Sequence, residues 1–173
     1  MWIDLEMTGL NPNKESIIEI ATIVTEGDLS IVSEGPTFAI STSEELISGM
    51  DEWNTTHHTQ NGLIERVREE GVRMGEAEHK TLQFLHKYCE PGRLPLCGSS
   101  VHHDRRFLRK FMPDLDAFFS YRIVDVSSIK EVVKRWYPKG PRYRKNSGHR
   151  ALDDIRGSIE ELRFYRKHYF RES

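Results

Sequence analysis

The stretch from Ile17 to Thr25 constrains the fold more than any other part of this sequence. Its residues, IIEIATIVT, are mostly β-branched, and such residues fit the pleated surface of a strand. Two further extended stretches, 1–7 and 29–33, flank it, and glycine-containing turns separate the three. We therefore predict that the chain begins with a meander of three strands.

The rest of the chain alternates between helical and extended patterns. A helix is expected to begin at Ser43, and helical patterns predict others at 63–69 and 76–89. The remaining predicted strands are 36–40, 94–97 and 121–126. A helix is predicted at 103–112, another is marked by Ile129, Val132, Val133 and Trp136, and a last one by Ile155, Ile159, Leu162 and Tyr169. This order predicts a single α/β domain over residues 1–173, with helices flanking a central sheet, because no linker interrupts the pattern.

Composition excludes several classes of protein. The chain has 173 residues, of which 30% are charged and 37% hydrophobic, and this excludes a disordered tail and a disulfide scaffold. No apolar run reaches about 18 residues, so we expect no membrane span. Cys89 and Cys97 predict free thiols in a reducing compartment. A zinc site that joins them to His57, His58, His79 or His86 is an alternative, which the lack of a C-x-x-C pair disfavours.

Charge is distributed unevenly along the chain. The formal net charge is -2, yet residues 1–52 contain eleven acids and one base, whereas residues 130–150 contain eight bases and one acid. Such asymmetry is typical of nucleic-acid contact, and acidic and basic solvated faces of one globule explain it equally well. The near-neutral total therefore does not exclude a nucleic-acid substrate.

Asp4 and Glu6 form the first candidate site. In a strand, residues i and i+2 point to the same face, so these carboxylates lie side by side and repel each other unless a cation lies between them. Hard oxygen ligands of this kind suit Mg²⁺ or Mn²⁺. An exposed strand edge explains most D-x-E patterns, but Trp2, Ile3 and Leu5 indicate a buried strand, where unpaired acids are costly.

Residues 1–7 also indicate what kind of N-terminal segment to expect. Because carboxylates stand at positions 4 and 6, we expect no signal peptide at the start of this sequence. A candidate catalytic strand that starts directly at Met1 leads us to expect a further N-terminal segment, such as a targeting segment, in the natural chain.

Further candidates lie in later elements. Asp104 opens a predicted helix after a short strand, where a helix cap is the plainer interpretation. Asp153 and Asp154 lie in the first turn of the last predicted helix, where acids are favourable without any catalytic role. His149 lies five residues before Asp154, and taken alone it is more typical of a structural histidine.

The combination of D-x-E, a mid-chain aspartate and H-x4-D resembles the DEDDh class of 3′-to-5′ exonucleases and, within it, the oligoribonuclease family. The segments that carry the resemblance are WIDLEMTGL (2–10), EGPTFAI (34–40), MDEWN (50–54), HHTQNGL (57–63), DRRFL (104–108), YRIVDVSS (121–128) and HRALDDIRGSIEEL (149–162). The resemblance implies a ribonuclease H-like fold, with a five-stranded mixed sheet flanked by helices. It also implies hydrolysis of short single-stranded RNA of about two to seven nucleotides, dinucleotides especially, to nucleoside 5′-monophosphates.

The resemblance further implies a metal centre. Asp4, Glu6, Asp104 and Asp154 match carboxylates that bind two divalent ions, Mg²⁺ or Mn²⁺, and His149 matches the general base. The H-x4-D spacing selects Asp154 over the aspartate beside it. Two such ions can activate a water molecule and stabilise the leaving oxygen of a phosphodiester.

Substrate contacts at the 3′ end are implied in the same way. By resemblance, Leu10 lies between the two bases of a short substrate, and Trp53 and His58 line the pocket at its 3′ end. Gly9 has no Cβ, so a nucleotide can approach its backbone closely. The alternative is that Leu10 and Trp53 are ordinary core residues.

The other end of the substrate has its own implied contacts. The residues that match the family's 5′-phosphate cap are Ser100, Arg122, Ser127 and Ser128. Arginine suits this role because its planar fork donates two parallel hydrogen bonds to a phosphate. Tyr121 matches a residue that reaches the active site across a homodimer interface, so the resemblance implies a homodimer.

The chain also departs from the family. Ser99 stands where asparagine is usual, and we expect the shorter side chain to lose a hydrogen bond near Asp104; Asn61 stands where serine is usual. A DEDDh-type DNA exonuclease and a catalytically idle nucleotide-binding module remain the alternative functions. The compartment depends on the source: the cytoplasm for a bacterial protein, and the mitochondrion, with the nucleus or cytosol as further options, for a eukaryotic one.

Overall fold

A six-stranded mixed sheet forms the centre of the computed structural model, which describes residues 1–144 and 150–170. The strands are β1 (Trp2–Met7), β2 (Ile17–Thr25), β3 (Ile31–Glu34), β4 (Phe38–Ala39), β5 (Leu96–Gly98) and β6 (Ile123–Asp125). Their spatial order is β3-β2-β1-β5-β6, and β4 also pairs with β2. Strand β2 is antiparallel to β1, β3 and β4, whereas β1 is parallel to β5 and β5 to β6.

Helices flank this sheet and complete the α/β fold that the sequence predicts. They are α1 (Glu44–Ser48), α2 (Glu52–Gln60), α3 (Leu63–Glu69), α4 (Met74–Leu85), α5 (His102–Phe111), α6 (Pro113–Phe118), α7 (Val126–Trp136) and α8 (Ala151–Tyr169). The sheet has six strands rather than the five that the resemblance implies, because the extended stretch 36–40 contributes the two-residue strand β4. No helix within 1–144 and 150–170 has both the length and the apolar character of a membrane span.

Alternation along β1 sends neighbouring side chains into different cores. Ile3 and Leu5 belong to the core that contains Phe107 of α5, whereas Trp2 belongs to the core that contains Ile155 of α8. Asp4 and Glu6 share the face of Trp2, because residues two apart in a strand point the same way. The two carboxylates of β1 therefore face α8.

The pairing of β1 with β2 places a third acid on this face. In their antiparallel register Asp4 lies opposite Ala21, and Glu6 lies opposite Glu19. Side chains that lie opposite each other in an antiparallel pair share a face of the sheet. Helix α8 packs on this same face, since Ala21 and Ile155 belong to one core.

Candidate metal centre

Three of the four predicted metal ligands meet between β1 and α8. One carboxylate oxygen each from Asp4, Glu6 and Asp154 lies within 4.8 Å of the others. Asp4 and Glu6 are brought together by the two-residue period of β1, and Asp154 comes from the first turn of α8. The side-by-side arrangement that the D-x-E pattern predicts is present, and tertiary packing adds the third carboxylate.

The chemistry of this group fits a divalent metal ion. Its donors are all carboxylate oxygens, which hard cations such as Mg²⁺ and Mn²⁺ prefer, and a cation offsets the repulsion among three negative charges. In the part of the chain that the structure describes, no other set of three or more His, Cys, Asp or Glu ligand atoms comes together in this way. The alternative zinc site at Cys89 and Cys97 is therefore not formed there, and both cysteines are free thiols.

Asp104 lies beside this group in a buried position. Its side chain is 6% exposed, and its Oδ1 accepts a hydrogen bond of 2.9 Å from the backbone N–H of Leu5, the residue between Asp4 and Glu6. Burial raises the pKa of the Asp104 carboxyl to about 7, and the nearby charge of Asp125 acts in the same direction. Asp104 lies inside α5 and is not its N-cap, which is Val101, so the helix-cap interpretation is wrong.

The adjacent acids of α8 have different surroundings. Asp153 Oδ1 accepts a hydrogen bond of 2.9 Å from Arg156 on the same helix, and its side chain is exposed. Asp154 instead joins the carboxylate group, as the H-x4-D spacing predicts. The histidine of that motif, His149, lies outside the described residues.

His58, which is predicted to line the substrate pocket, also lies beside the carboxylate of Glu6. Its ring is buried, with Nε2 at 3.2 Å from the carbonyl oxygen of Met7 and Nδ1 at 4.0 Å from Oε2 of Glu6. A neutral imidazole that donates from Nε2 to Met7 presents Nδ1 as an acceptor. The ring therefore holds the end of β1 through Met7, and its second nitrogen faces the Glu6 carboxylate.

Leu10 and Trp53 are surface residues. Leu10 is 63% exposed and Trp53 is 54% exposed, so the interpretation of these residues as ordinary core is wrong. The indole of Trp53 stacks on the ring of His57, with centroids 4.0 Å apart. An exposed apolar side chain and an exposed aromatic face are both available for contact with bases.

Gly9 lies close to the side chain of Glu15. A Cβ on Gly9 would lie 2.9 Å from Cδ of Glu15, which is too close for a real contact. Glu15 is held there because its Oε2 accepts a hydrogen bond of 2.6 Å from the hydroxyl of Thr8. A side chain at this position would therefore displace Glu15, and the approach of a nucleotide stays a prediction.

The serines predicted to cap a phosphate lie where β5 and β6 end. Ser100 has a φ of 54°, and its N–H donates to Oδ1 of Asp125 over 2.9 Å. The same oxygen accepts the N–H of Ser127 over 2.9 Å, and the hydroxyls of Ser100 and Ser127 lie 3.0 Å apart. Ser128 follows on the exposed side of α7. Asp125 thus joins the segment that follows β5 to the first turn of α7. Its position just before a helix could have indicated such a capping role.

Tyr121 and Arg122 form an exposed pair just before β6. Tyr121 is 83% exposed, and the guanidinium of Arg122 lies over its ring at 5.4 Å from the centroid. Nε of Arg122 also donates to the Tyr121 hydroxyl over 3.3 Å. Arg122 directly precedes β6, whereas Ser127 lies beyond its end in α7, so the two residues lie at opposite ends of the strand.

Ser99 makes a different contact from the one expected at the family's asparagine. Its hydroxyl lies 2.8 Å from the hydroxyl of Ser158, which in turn donates over 2.8 Å to the carbonyl oxygen of Asp154. This pair of serines connects the end of β5 to the turn of α8 that carries a candidate ligand.

Glu19 is a buried residue of this region that the motif analysis misses. It is fully buried in β2 and contacts Arg66, Arg150 and the N–H of Ala151. The signal was available in the sequence, because a single acid within the β-branched run IIEIATIVT has to be compensated by partners if the strand is central.

Known proteins resemble this chain over nearly its whole length. The family model described as Exonuclease matches residues 1–162. A protein named Oligoribonuclease from Dichelobacter nodosus is 55% identical over 98% of this chain and 94% of its own length. Oligoribonucleases from Alcanivorax borkumensis and Pseudomonas aeruginosa are 53% and 52% identical, over 98% and 99% of this chain and 94% and 96% of their own lengths.

Solved structures of a larger nuclease share the fold. An apo structure of exonuclease I superposes with a TM-score of 0.70 at 14% identity, over 97% of this chain and 42% of that chain. The complex of Escherichia coli exonuclease I with a 5cy-dA13 oligonucleotide gives 0.70 at 13% identity, over 97% of this chain and 40% of that chain. This chain therefore spans about two fifths of those structures, and at such low identity the likeness concerns the fold alone.

Proposed function

Because the chain belongs to the exonuclease family and, within it, to the oligoribonucleases, we propose that residues 1–173 form a single exonuclease domain with a two-metal-ion active site. It is a 3′-to-5′ exoribonuclease that acts on short oligoribonucleotides. The proposed products are nucleoside 5′-monophosphates, and the proposed metal is Mg²⁺ or Mn²⁺.

One observation carries this proposal: the carboxylates of Asp4, Glu6 and Asp154 converge within 4.8 Å, beside a strand whose amide anchors Asp104. Together the four acids supply the oxygen ligands and the negative charge that two divalent cations need. When bound, such ions stabilise the charge that develops on the attacking and leaving oxygens of a phosphodiester. The buried carboxylate of Asp104 binds a cation as an anion, so metal binding displaces its proton.

His149 is the proposed general base. It directly precedes Arg150, which borders α8, and it lies five residues before Asp154 in the sequence. A neutral imidazole near pH 7 can accept a proton from the attacking water and pass it to solvent. Replacing His149 with alanine is expected to lower kcat by about 10²- to 10⁴-fold, the usual range for a general base. Retention of full activity would contradict the assignment.

The surface around the acids supports a contact with a very short RNA. We place the 3′ nucleotide against Gly9, Leu10, Trp53 and His58. The exposed side chains of Leu10 and Trp53 and the buried ring of His58 support this assignment. Stacking on apolar and aromatic faces tolerates any base, which suits an enzyme that degrades RNA without regard to sequence.

We assign the 5′ phosphate to Ser100, Arg122, Ser127 and Ser128. Ser100 and Ser127 lie close together, because Asp125 accepts amide hydrogen bonds from both at the ends of β5 and β6, whereas Arg122 lies at the other end of β6. A cap on the 5′ side favours dinucleotides over longer chains. Equal rates for lengths from about two to ten nucleotides would contradict it.

A homodimer in which Tyr121 acts across the interface is the proposed assembly. Its support is the 83% exposure of the Tyr121 side chain and the exposed Ile123 and Trp136, which leave apolar surface for a partner. A mixing experiment tests it with two inactive variants, Tyr121→Ala and Asp154→Ala. If Tyr121 acts in trans, mixed dimers regain activity; if it acts within its own subunit, mixing restores none.

We place the protein in the cytoplasm. The named relatives are bacterial proteins, which supports this compartment. Fractionation of a bacterial source by immunoblot checks it, and recovery in the membrane or periplasmic fraction would contradict it.

The decisive experiment is hydrolysis of 5′-labelled di- and heptaribonucleotides with Mg²⁺ or Mn²⁺. We expect mononucleotide release in wild type, none with a chelator, and none in Asp154→Ala. Asp153→Ala is the matched control, because Asp153 lies in the same turn but pairs with Arg156. Its rate should stay within a few-fold of wild type.

Two further results would favour the alternative functions. Faster cleavage of a DNA dinucleotide than of its RNA equivalent would indicate a DNA exonuclease. Tight binding of a dinucleotide without turnover at any metal concentration would indicate a nucleotide-binding module.

A further inference from the structure

Glu19 makes an unusual set of contacts for a residue in the middle of a strand. Its side chain is 0% exposed. Oε1 accepts from Nη1 of Arg66 over 2.6 Å and from Nε of Arg150 over 3.3 Å, while Oε2 accepts the backbone N–H of Ala151 over 2.9 Å. Two arginines and an amide thus satisfy a carboxylate that would otherwise be costly to bury.

One of these contacts caps a helix from outside. Ala151 is the first residue of α8, and the side chain of its N-cap, Arg150, makes no capping hydrogen bond within the described residues. The first amides of a helix have no partner inside the helix, and a carboxylate is favourable there because of the helix dipole. Glu19 therefore takes, from β2, the place that a serine or aspartate N-cap usually fills.

This contact lies next to the metal ligands on both sides. On the sheet, Glu19 lies opposite Glu6 in the β1–β2 register. On the helix, Asp154 is three residues beyond Ala151, and its N–H donates to the carbonyl oxygen of Arg150 over 2.9 Å. The bond from Ala151 to Glu19 is therefore a short link between the strand pair that carries Glu6 and the helical turn that carries Asp154.

We propose that Glu19 is a positioning residue for the metal centre: its carboxylate holds the first turn of α8 against the sheet, so that Asp154 meets Asp4 and Glu6. Glu19 is not itself a ligand, because its oxygens are occupied by Arg66, Arg150 and Ala151. This inference rests on the proposed metal-dependent function and adds a residue that sets the affinity of the centre.

Two conservative variants test separately the charge of Glu19 and the length of its side chain. Glu19→Gln keeps the size and removes the charge that balances the arginines. Glu19→Asp keeps the charge but is shorter by one methylene, so it cannot reach both the arginines and the amide of Ala151. Each variant should weaken Mn²⁺ binding by about 10- to 100-fold, the usual effect of losing a partner that orients metal ligands.

The matched control is Glu161→Gln. Glu161 is also a buried carboxylate, it lies on α8 itself, and it accepts from the hydroxyl of Tyr165 over 2.7 Å and pairs with Lys130 at 3.0 Å. It is seven residues beyond Asp154, or about 10 Å along the helix. Its loss should lower thermal stability and leave Mn²⁺ affinity unchanged.

The measurements are Mn²⁺ affinity by calorimetry and the Mn²⁺ concentration that gives half-maximal dinucleotide hydrolysis. For both Glu19 variants we expect this concentration to rise, and saturating Mn²⁺ to restore most of kcat with little change in KM. Because bound Mn²⁺ also stabilises the folded state, circular dichroism in chelator must first show that both variants are folded without metal, so that the rise reports on the metal centre and not on unfolding.

Specific results overturn the inference. A folded Glu19→Gln protein with wild-type Mn²⁺ affinity would do so, as would an equal loss of affinity in Glu161→Gln. Failure of the proposed function is distinguishable, because wild type itself would then show neither Mn²⁺ binding nor hydrolysis.

Discussion

Glu19 and the pair Asp4 and Glu6 lie on the same face of the sheet, but their surroundings differ. Glu19 on β2 is fully buried between Arg66 and Arg150, and a helix amide completes its hydrogen bonds. Asp4 and Glu6 on the neighbouring strand β1 lie partly open to solvent. One oxygen of each lies within 4.8 Å of a carboxylate oxygen of Asp154 on α8.

The difference shows that the surroundings of a carboxylate on this face, and not its residue type, decide what it does. Where protein cations balance the charge, the acid holds elements together. Where acids converge on one another, the group is suited to a cation from solution. Asp104 is intermediate, because it is buried and hydrogen-bonded to the backbone, with its pKa raised to about 7 by burial.

The largest expected effect is on the hydrolysis rate, and it comes from the group formed by Asp4, Glu6 and Asp154. Asp154→Asn should lower the hydrolysis rate by about 10³-fold, since a metal clamp supplies several kcal/mol to the transition state. It should also abolish metal-dependent stabilisation, which for wild type is about 2.7 kcal/mol at a Mn²⁺ concentration of 100 Kd. Rate assays and thermal unfolding with and without Mn²⁺ measure both. A variant that keeps both effects would place Asp154 outside the metal centre.

The next largest effect is on stability, and it comes from Glu19, whose charge Arg66 and Arg150 balance. Glu19→Ala should lower the free energy of unfolding by about 3 kcal/mol, because it leaves two partly buried arginines without their common partner. Urea unfolding in the presence of a chelator measures this, with the exposed Glu45→Ala as control, for which the change should stay within about 0.5 kcal/mol. Similar losses in both variants would show that burial between the two arginines does not set the contribution of Glu19 to stability.

A smaller effect is expected at Asp104, in its dependence on pH. The pKa of this carboxyl is about 7 in the folded protein, whereas it is about 3.9 in an unfolded chain. Between these values the folded state holds a proton that the unfolded state releases. The metal-free protein therefore loses stability as pH rises, by about 1.4 kcal/mol per pH unit from this residue.

The variant Asp104→Asn tests that sign. It cannot take up the proton, so its free energy of unfolding in chelator should fall less than that of wild type between about pH 5 and pH 7. Urea titrations at several pH values provide the measurement. Parallel curves for wild type and Asp104→Asn would show that this carboxyl is already ionised in the folded protein.

The smallest effect is expected where solvent screens the pair. Glu34 on β3 accepts from Arg156 of α8 over 2.9 and 2.7 Å, and both side chains are exposed. Arg156 lowers the pKa of Glu34 by hydrogen bonding and charge. Glu34→Gln should cost no more than about 0.5 kcal/mol, with unchanged Mn²⁺ affinity. A loss as large as that of Glu19→Ala would show that burial does not distinguish the two contacts.

Local patterns in the sequence predicted some elements well and missed others. The bounds of β2, Ile17–Thr25, are those expected from its β-branched run, and β1 differs from the expected stretch by one residue. Helix α2 was missed because EWNTTHHTQ has no apolar stripe; it begins instead with a cap, in which Asp51 accepts the N–H of Asn54 over 2.8 Å. Helix α6 is short, and Pro113 at its start was not taken as a helical signal.

Sequence by itself determined which residue types were available for chemistry and which of them share a strand face. The D-x-E spacing predicts that Asp4 and Glu6 lie together, because a strand repeats every two residues. The H-x4-D spacing selects Asp154, which joins the group, over Asp153, which pairs with Arg156.

Only the tertiary structure decided that Glu19 is buried between two protein cations. Glu19 and Glu6 lie opposite each other in the sheet, yet Arg66 and Arg150 reach Glu19 from segments far away in the sequence. Such long-range neighbours fix the electrostatic environment of a carboxylate, and no local pattern encodes them.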